Sequence, residues 1–586
     1  MSRVARLVLS SITCLFLLLQ LVACASPETA DSEPTSSEPD TEIAAAGPTV
    51  ENGLAKLRAG DAAGAEEILE QVVAADSENG RALFLLGYAE RSQEKWDEAA
   101  ESFRRAVEAD PTQRRAQYEL ARVAARQGEL EKALVTLEEL RAGGKYDLSQ
   151  VAIDPQLASV RDHEELGPRF AALGPTAEEI DEPFLEDTRV IHEWWGESAG
   201  DEYGWIAREI GDVDGDGIRD LTTSAPGFRT APPEPENDPG TEGKVYTYSG
   251  KSGDLLWSAV GEAGWQLGRG IEAAGDVDGN GVPDVVVGAT GADLVRIYDG
   301  RTGDVVLEIR GEEGEQFGRK VSDVGDVDQD GHADVFVGAP QNGRAGEGAG
   351  RAAVYSGKDG TVLVEWLGEA AGDAMGSSGA GAVIGDQVFV LAGAPNAGDD
   401  DGGRVYVWKG LSQEPAFVME SDAGASSFGG MFVSVLGDLD ADGTPDLYAS
   451  DWSHGAKGPQ TGKIHVVSGT DGRELLVLEG EAAGDGFGIG PADAGDVNGD
   501  GHADLIVGAW QHGSAAPGGG KVYLYSGQDG ALIRSWTSQV MGETFGFDAT
   551  GIGDVDGDGA IDLLLTSGWS PVSGPRSGRM FVVSSR

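Results

Sequence analysis

Six nine-residue segments carry carboxylates or carboxamides at positions 1, 3, 5 and 9, with Gly at position 6. They are Asp212, Asp214, Asp216 and Asp220; Asp276, Asp278, Asn280 and Asp284; Asp326, Asp328, Asp330 and Asp334; Asp438, Asp440, Asp442 and Asp446; Asp496, Asn498, Asp500 and Asp504; and Asp554, Asp556, Asp558 and Asp562. This spacing converges hard oxygen ligands on one point, adds the backbone carbonyl of position 7, and leaves the sharp turn to the Gly. Such a donor set selects Ca²⁺. Four unpaired Asp in so short a loop repel one another, which argues against a plain Asp-Gly turn. Asn280 and Asn498 each replace one carboxylate and should weaken their loops. Six complete loops predict about six Ca²⁺, each bound at about 10⁻⁴–10⁻³ M as in extracellular modules.

These are not EF-hand loops. That motif needs Glu at position 12, where the first and third loops have Thr223 and Val337, and helical flanks. The flanks here read as strands: apolar runs such as Val285-Val286-Val287 and Val522-Tyr523-Leu524-Tyr525. The loops recur at intervals of 64, 50, 112, 58 and 58 residues. The long interval hides a seventh copy near Asp386, shrunk to Gly-Asp-Gln, which should bind no metal.

Each unit opens with Phe-Gly or a relative: Tyr203-Gly204, Leu267-Gly268, Phe317-Gly318, Met375-Gly376, Phe428-Gly429, Phe487-Gly488 and Phe545-Gly546. The acidic loop and a Gly-Ala-Pro-like segment follow. This order resembles the FG-GAP repeat of integrin α-subunits, which implies an all-β seven-bladed propeller over residues 188–586. The last unit lacks an outer strand, and a spare one stands at Val190–Trp195. It should complete the seventh blade and remove two exposed sheet edges. Strand alternation puts the acidic loops on one face. The Gly-Glu to Phe-Gly links and the long loops 227–243, 396–403, 451–462 and 511–520 fall on the other. That opposite face is the expected surface for a protein or glycan ligand.

Residues 51–143 repeat with a period of 34. Gly53, Gly87 and Ala121 coincide; so do Ala65, Ala99 and Ala133, and Leu69, Phe103 and Leu137. The pattern resembles the tetratricopeptide repeat, an α-helical module whose groove would take a peptide or helix. Glu90 stands where that repeat usually has an aromatic. Residues 144–187 read as a helical tail, Leu157 to Ala172, and an acidic connector.

The N-terminus reads as an address. Arg3 and Arg6 precede an apolar stretch from Val8 to Val22 that is too short and interrupted to span a membrane comfortably. Leu21-Val22-Ala23-Cys24 resembles the bacterial lipobox. The resemblance implies a signal peptide over 1–23, lipidation of Cys24, and loss of Cys14. Ala25, in place of Asp, points to the outer membrane, on its periplasmic or surface side. Residues 24–50 then form an acidic, disordered tether.

Asp and Glu number 100 against 43 Lys and Arg, a net charge of −57. That excludes nucleic-acid binding by phosphate neutralisation and electrostatic docking on anionic lipid, so contact with a membrane should come through the lipid anchor alone. Two Cys exclude a disulfide framework. There is no Walker A or HExxH segment. Glu197, Glu262, Glu312, Glu369 and Glu481 recur with the repeat, which marks them as architecture. His332, His502 and His192 sit at structural positions. The expectation is a non-enzymatic cell-envelope lipoprotein that binds protein partners in adhesion or scaffolding. A glycan-binding or glycan-cleaving propeller is the alternative. A quinoprotein dehydrogenase is more remote, because Trp257 alone matches the docking tryptophans of that class.

Overall fold

The computed structural model describes residues 48–231, 238–385, 387–398 and 400–586. Cys14, Cys24, the signal segment and Asp386 lie outside the described residues. The described chain forms two compact units that divide between Thr176 and Ala177.

The first unit holds three helix pairs: Val50–Arg58 with Ala62–Ala75, Gly80–Ser92 with Trp96–Ala109, and Arg114–Arg126 with Leu130–Ala142. Thr49, Asp61 and Asn79 cap three of these helices by accepting backbone N–H groups. The 34-residue period has a steric cause. A Cβ on Gly53 would meet Leu69 at 2.6 Å, and one on Gly87 would meet the Phe103 ring at 2.8 Å. Small residues stand where the helices cross, and the large residue of the partner helix fills the space. Glu90 is buried, and burial raises its carboxyl to about 7. The tail is broken rather than one helix: short turns at Ala158–Arg161 and Gly167–Ala171 follow two 3₁₀ turns. Buried Asp154 ties it down, accepting from Tyr118 Oη at 2.7 Å and Arg122 Nε at 2.6 Å.

The second unit is a ring of seven four-stranded antiparallel sheets. Each blade runs outward from an innermost strand such as Leu267–Gly275, through Asp284–Ala289 and Leu294–Tyr298, to Val305–Arg310. The second strands, exemplified by Asp284–Ala289 and Asp334–Ala339, are buried along their whole length. This explains their unbroken apolar runs. Val190–Trp195 completes the seventh blade as anticipated, antiparallel to Arg579–Ser584, with Glu193 opposite Phe581 and Trp194 opposite Met580.

The Phe-Gly and Gly-Ala-Pro glycines form the seams between blades. A Cβ on Gly288 of the second blade would lie 1.9 Å from the carbonyl oxygen of Gly318 in the third. Gly318 itself has φ of +81°. The two backbones touch, and only Gly allows both the contact and the conformation. Outside this seam the recurring Glu residues pair with cations of the following blade: Glu197 with Lys244, Glu312 with Arg344, Glu369 with Arg404 and Glu481 with Lys521.

The acidic connector is not a free linker. Leu185 N–H donates to Thr537 O at 2.9 Å, and Gln539 N–H to Pro183 O at 2.7 Å. Phe184 packs 4.9 Å from Phe545 and 5.1 Å from Phe581, centroid to centroid. Phe184→Ala should cost about 2 kcal/mol, the usual scale for losing a half-buried aromatic. It should also open residues 177–189 to protease while the blades stay resistant. Unchanged cleavage and unchanged urea unfolding would contradict this docking.

Candidate metal centre

Each acidic loop leaves an innermost strand and returns as the second strand of the same blade. Its conformation is set by its own carboxylates. In the first loop, Asp212 Oδ1 accepts the N–H groups of Gly215 and Asp216 at 2.7 and 3.0 Å, and Oδ2 that of Gly217 at 2.9 Å. Asp214 Oδ1 accepts from Asp216 N–H, and Asp216 Oδ1 from Ile218 N–H. Gly217 has φ of +90°, which explains the Gly at position 6.

Position 9 is the anchor. Asp220 is fully buried and accepts from Val213 N–H at 2.8 Å, Asp214 N–H at 3.1 Å and, across the blade, Gly250 N–H at 3.0 Å. Asp284, Asp334, Asp446 and Asp504 repeat this set with Gly300, Gly357, Gly469 and Gly527. Asp562 keeps the bond from Val555 N–H at 2.9 Å. Its Oδ1 is buried with no hydrogen-bond partner among the described residues.

Five loops gather three carboxylates whose oxygens lie within 4.8 Å of one another. They are Asp212, Asp214 and Asp220; Asp276, Asp278 and Asp284; Asp326, Asp328 and Asp334; Asp438, Asp440 and Asp446; and Asp554, Asp556 and Asp558. In the loop from Asp496, Asn498 takes the third position and its Nδ2 donates to Asp500 Oδ2 at 2.9 Å. Asn280 Nδ2 similarly reaches Asp299 Oδ2 at 2.7 Å. Some charge is offset by outer cations: Arg473 on Asp440, Lys358 on Asp330, and Arg189 on Asp556 and Asp558. In the fourth blade Ile384 pairs with Gln387.

The donor set fits a hard divalent cation. Several oxygens converge, the buried anchor carboxyl has no cation of its own, and Asp562 Oδ1 has no hydrogen-bond partner among the described residues. Burial, with the neighbouring carboxylates adding, raises Asp284 to about 7 and Asp334, Asp446 and Asp562 to about 6. In metal-free protein these groups hold protons that the unfolded chain releases near its ordinary carboxylate pKa. Stability from this source is therefore present below about pH 4 and lost as pH rises through 6 to 7. A divalent cation held here would bind the ionised form and offset that loss. The rise in melting temperature produced by calcium should accordingly grow between pH 5 and pH 7.5, and a constant increment would contradict this reading of the anchor residues.

The three histidines singled out in the sequence serve the ring. His332 Nδ1 donates to Val277 O at 2.7 Å and His502 Nδ1 to Leu439 O at 2.8 Å, each tying one loop to that of the preceding blade. His192 Nε2 donates to Gly250 O at 3.0 Å. Trp257 Nε1 donates to Gly300 O at 2.7 Å, but the docking is not a tryptophan signature. Turn glycines of successive blades meet His192, Trp257, Ile309, Phe417 and Leu476 in the same place.

Fold and loops together define a seven-bladed propeller with acidic loops in its blades, preceded by a helical tetratricopeptide-like region. The tetratricopeptide repeat family matches residues 50–114 and 90–147. An FG-GAP-like repeat matches 496–565, and an FG-GAP repeat 321–355. The chain is similar to integrin alpha-4 of Xenopus laevis, 28% identical over 194 residues that cover 30% of this chain and 18% of that protein. It is similar to integrin alpha-3 of Cricetulus griseus, 32% identical over 200 residues, 31% of this chain and 18% of that one. Integrin alpha-7 of Homo sapiens is 29% identical over 201 residues, 32% and 16% of the two chains. The chain thus spans less than a fifth of each of these relatives. Neither the matched repeats nor the named relatives indicate an enzyme family. Among the described residues no helix is long and apolar enough to cross a membrane.

Proposed function

We propose that the chain is a non-enzymatic binding protein of the bacterial cell envelope, lipid-anchored through Cys24, whose propeller is stabilised by calcium. The observation that carries this reading is the repeated Asp trio with its buried ninth-position anchor. Asp212, Asp214, Asp216 and Asp220 and their counterparts would hold the ions, about one per complete loop. Bound calcium neutralises the loops and fixes the face on which they lie. The opposite face is then free for protein partners. The helical region adds a cleft of about 760 Å³ bordered by Glu70, Glu90, Glu98 and Glu101, whose charge suits a basic peptide or helix.

Protein and glycan arrays probed with the calcium-loaded chain test the class. Retention of protein ligands in calcium and their release in EGTA is the expected result; binding to glycans alone would contradict it. The anchor is tested separately. Labelled palmitate should enter the wild-type chain and not Cys24→Ala, and unlabelled wild type would remove the lipoprotein reading.

A further inference from the structure

The axis of the ring carries a site opposite in charge to the acidic loops. Residues just after the Phe-Gly pairs, at the strand ends remote from those loops, converge on the axis. Trp205 and Arg208 come from the first blade, Arg319 and Lys320 from the third, Phe432 from the fifth and Phe547 from the seventh. They line a cavity of about 30 Å³. That is room for one or two water-sized groups, enough for a carboxylate and too little for a sugar ring.

Three of the cations there are matched. Arg208 pairs with Glu272 at 2.8 Å and with Asp548. Lys320 lies 3.4 Å from Glu272. Arg269 lies 3.5 Å from Glu202 and 4.0 Å over the Trp205 ring. Arg319 lines the cavity and has neither an ion pair nor a side-chain hydrogen bond among the described residues. Arg319 is partly buried, and desolvation together with the like charge of Arg269 holds its guanidinium down to about 9. In a chain with 100 Asp and Glu, a guanidinium left unmatched at a cavity that Trp205, Phe432 and Phe547 also line is a receptor for an anion. A planar carboxylate matches the guanidinium fork in charge and shape.

We propose that this axial mouth receives the side-chain carboxylate of an acidic residue on a protein partner, with Arg319 as its principal donor and Trp205 and Phe547 as its walls. The proposal rests on the reading of the propeller as a protein-binding module, and it adds the chemistry of the contact. The net charge of −57 repels an acidic partner at a distance. Screening over about 8 Å at physiological ionic strength leaves the local pairing to decide.

The test titrates the full calcium-loaded chain with a blocked Gly-Gly-Asp-Gly-Gly peptide, its Asn counterpart and sodium acetate, following tryptophan fluorescence. The Asp peptide should give a saturable change that the Asn peptide does not. Arg319→Gln should weaken it by about tenfold or more, the scale of one charge-assisted pair, and Arg319→Lys should restore part of it. Equal responses to both peptides, no response, or full binding by Arg319→Gln would overturn the site. Acetate binding as tightly as the Asp peptide would overturn the assignment to a protein side chain. Melting of the same samples with and without calcium separates the two readings. A retained calcium shift without a peptide response removes the axial site alone, whereas a missing calcium shift removes the calcium-stabilised module itself.

Discussion

Chelation should lower the melting temperature of the propeller by about 5–15 °C, the largest single effect the structure implies. At 2 mM calcium and dissociation constants of about 10⁻⁴–10⁻³ M, each loop gains about 0.6–1.8 kcal/mol by mass action. Six loops would sum to about 4–11 kcal/mol, and a domain of this size shifts by somewhat less than about 2–4 °C per kcal/mol. The physical source is local. Buried anchors such as Asp220 and Asp562 stand against Asp214 and Asp556, and a bound divalent ion would remove the repulsion between their ionised forms. The helical unit has no such loops among its described residues, so a two-step melt should show its step unmoved by EGTA. Asp562→Asn should reproduce part of the loss at the seventh loop, where the anchor lacks the glycine N–H that serves the other five.

Removal of the closing strand should be nearly as damaging. A chain starting at residue 197 loses the partner of Arg579–Ser584, so the seventh blade ends on an unpaired edge. Five residue pairs go with it. So do the Glu193 ion pair of buried Arg579 and the Trp194 ring, which packs 5.0 Å from Tyr248 and donates to Gly253 O at 3.0 Å. Lost ladder bonds at about 1 kcal/mol each, plus the aromatic, amount to about 5 kcal/mol or more. The exposed strand is also a template for edge-to-edge association. A chain starting at residue 177 keeps the clamp and the strand. It should run as a monomer on gel filtration, and the shorter chain should aggregate. Equal stability of the two would contradict a ring closed by Val190–Trp195.

The features legible in the sequence are those whose cause is local or repeated. Acidic loops fold around their own carboxylates, so their spacing suffices to find them. The Phe-Gly and Gly-Ala-Pro pairs recur because backbones meet at every seam, and Gly288 against Gly318 shows why. The closing strand followed from counting strands per unit. Other features depend on parts of the chain far apart. The acidic connector reads as a linker by composition, yet Pro183 and Phe184 find partners more than 350 residues away. Arg208, Arg269 and the pair Arg319 and Lys320 belong to three different repeats, and ring closure alone brings them to one axis. A cation after the Phe-Gly pair in three consecutive blades was the available signal, masked by the overall negative charge. The helical tail, read as one segment, breaks around His163 because Asp154 and the third helix pair dictate where it turns.

Calcium in the acidic loops is proposed to hold the propeller together. The most direct test is to count metal bound to the purified chain after gel filtration in calcium, alongside a chain in which Asp212, Asp276, Asp326, Asp438, Asp496 and Asp554 are all replaced by Ala. About six Ca²⁺ per wild-type chain and close to none in the variant are expected. A wild-type chain that carries no calcium would return the loops to plain turns and contradict a calcium-stabilised ring.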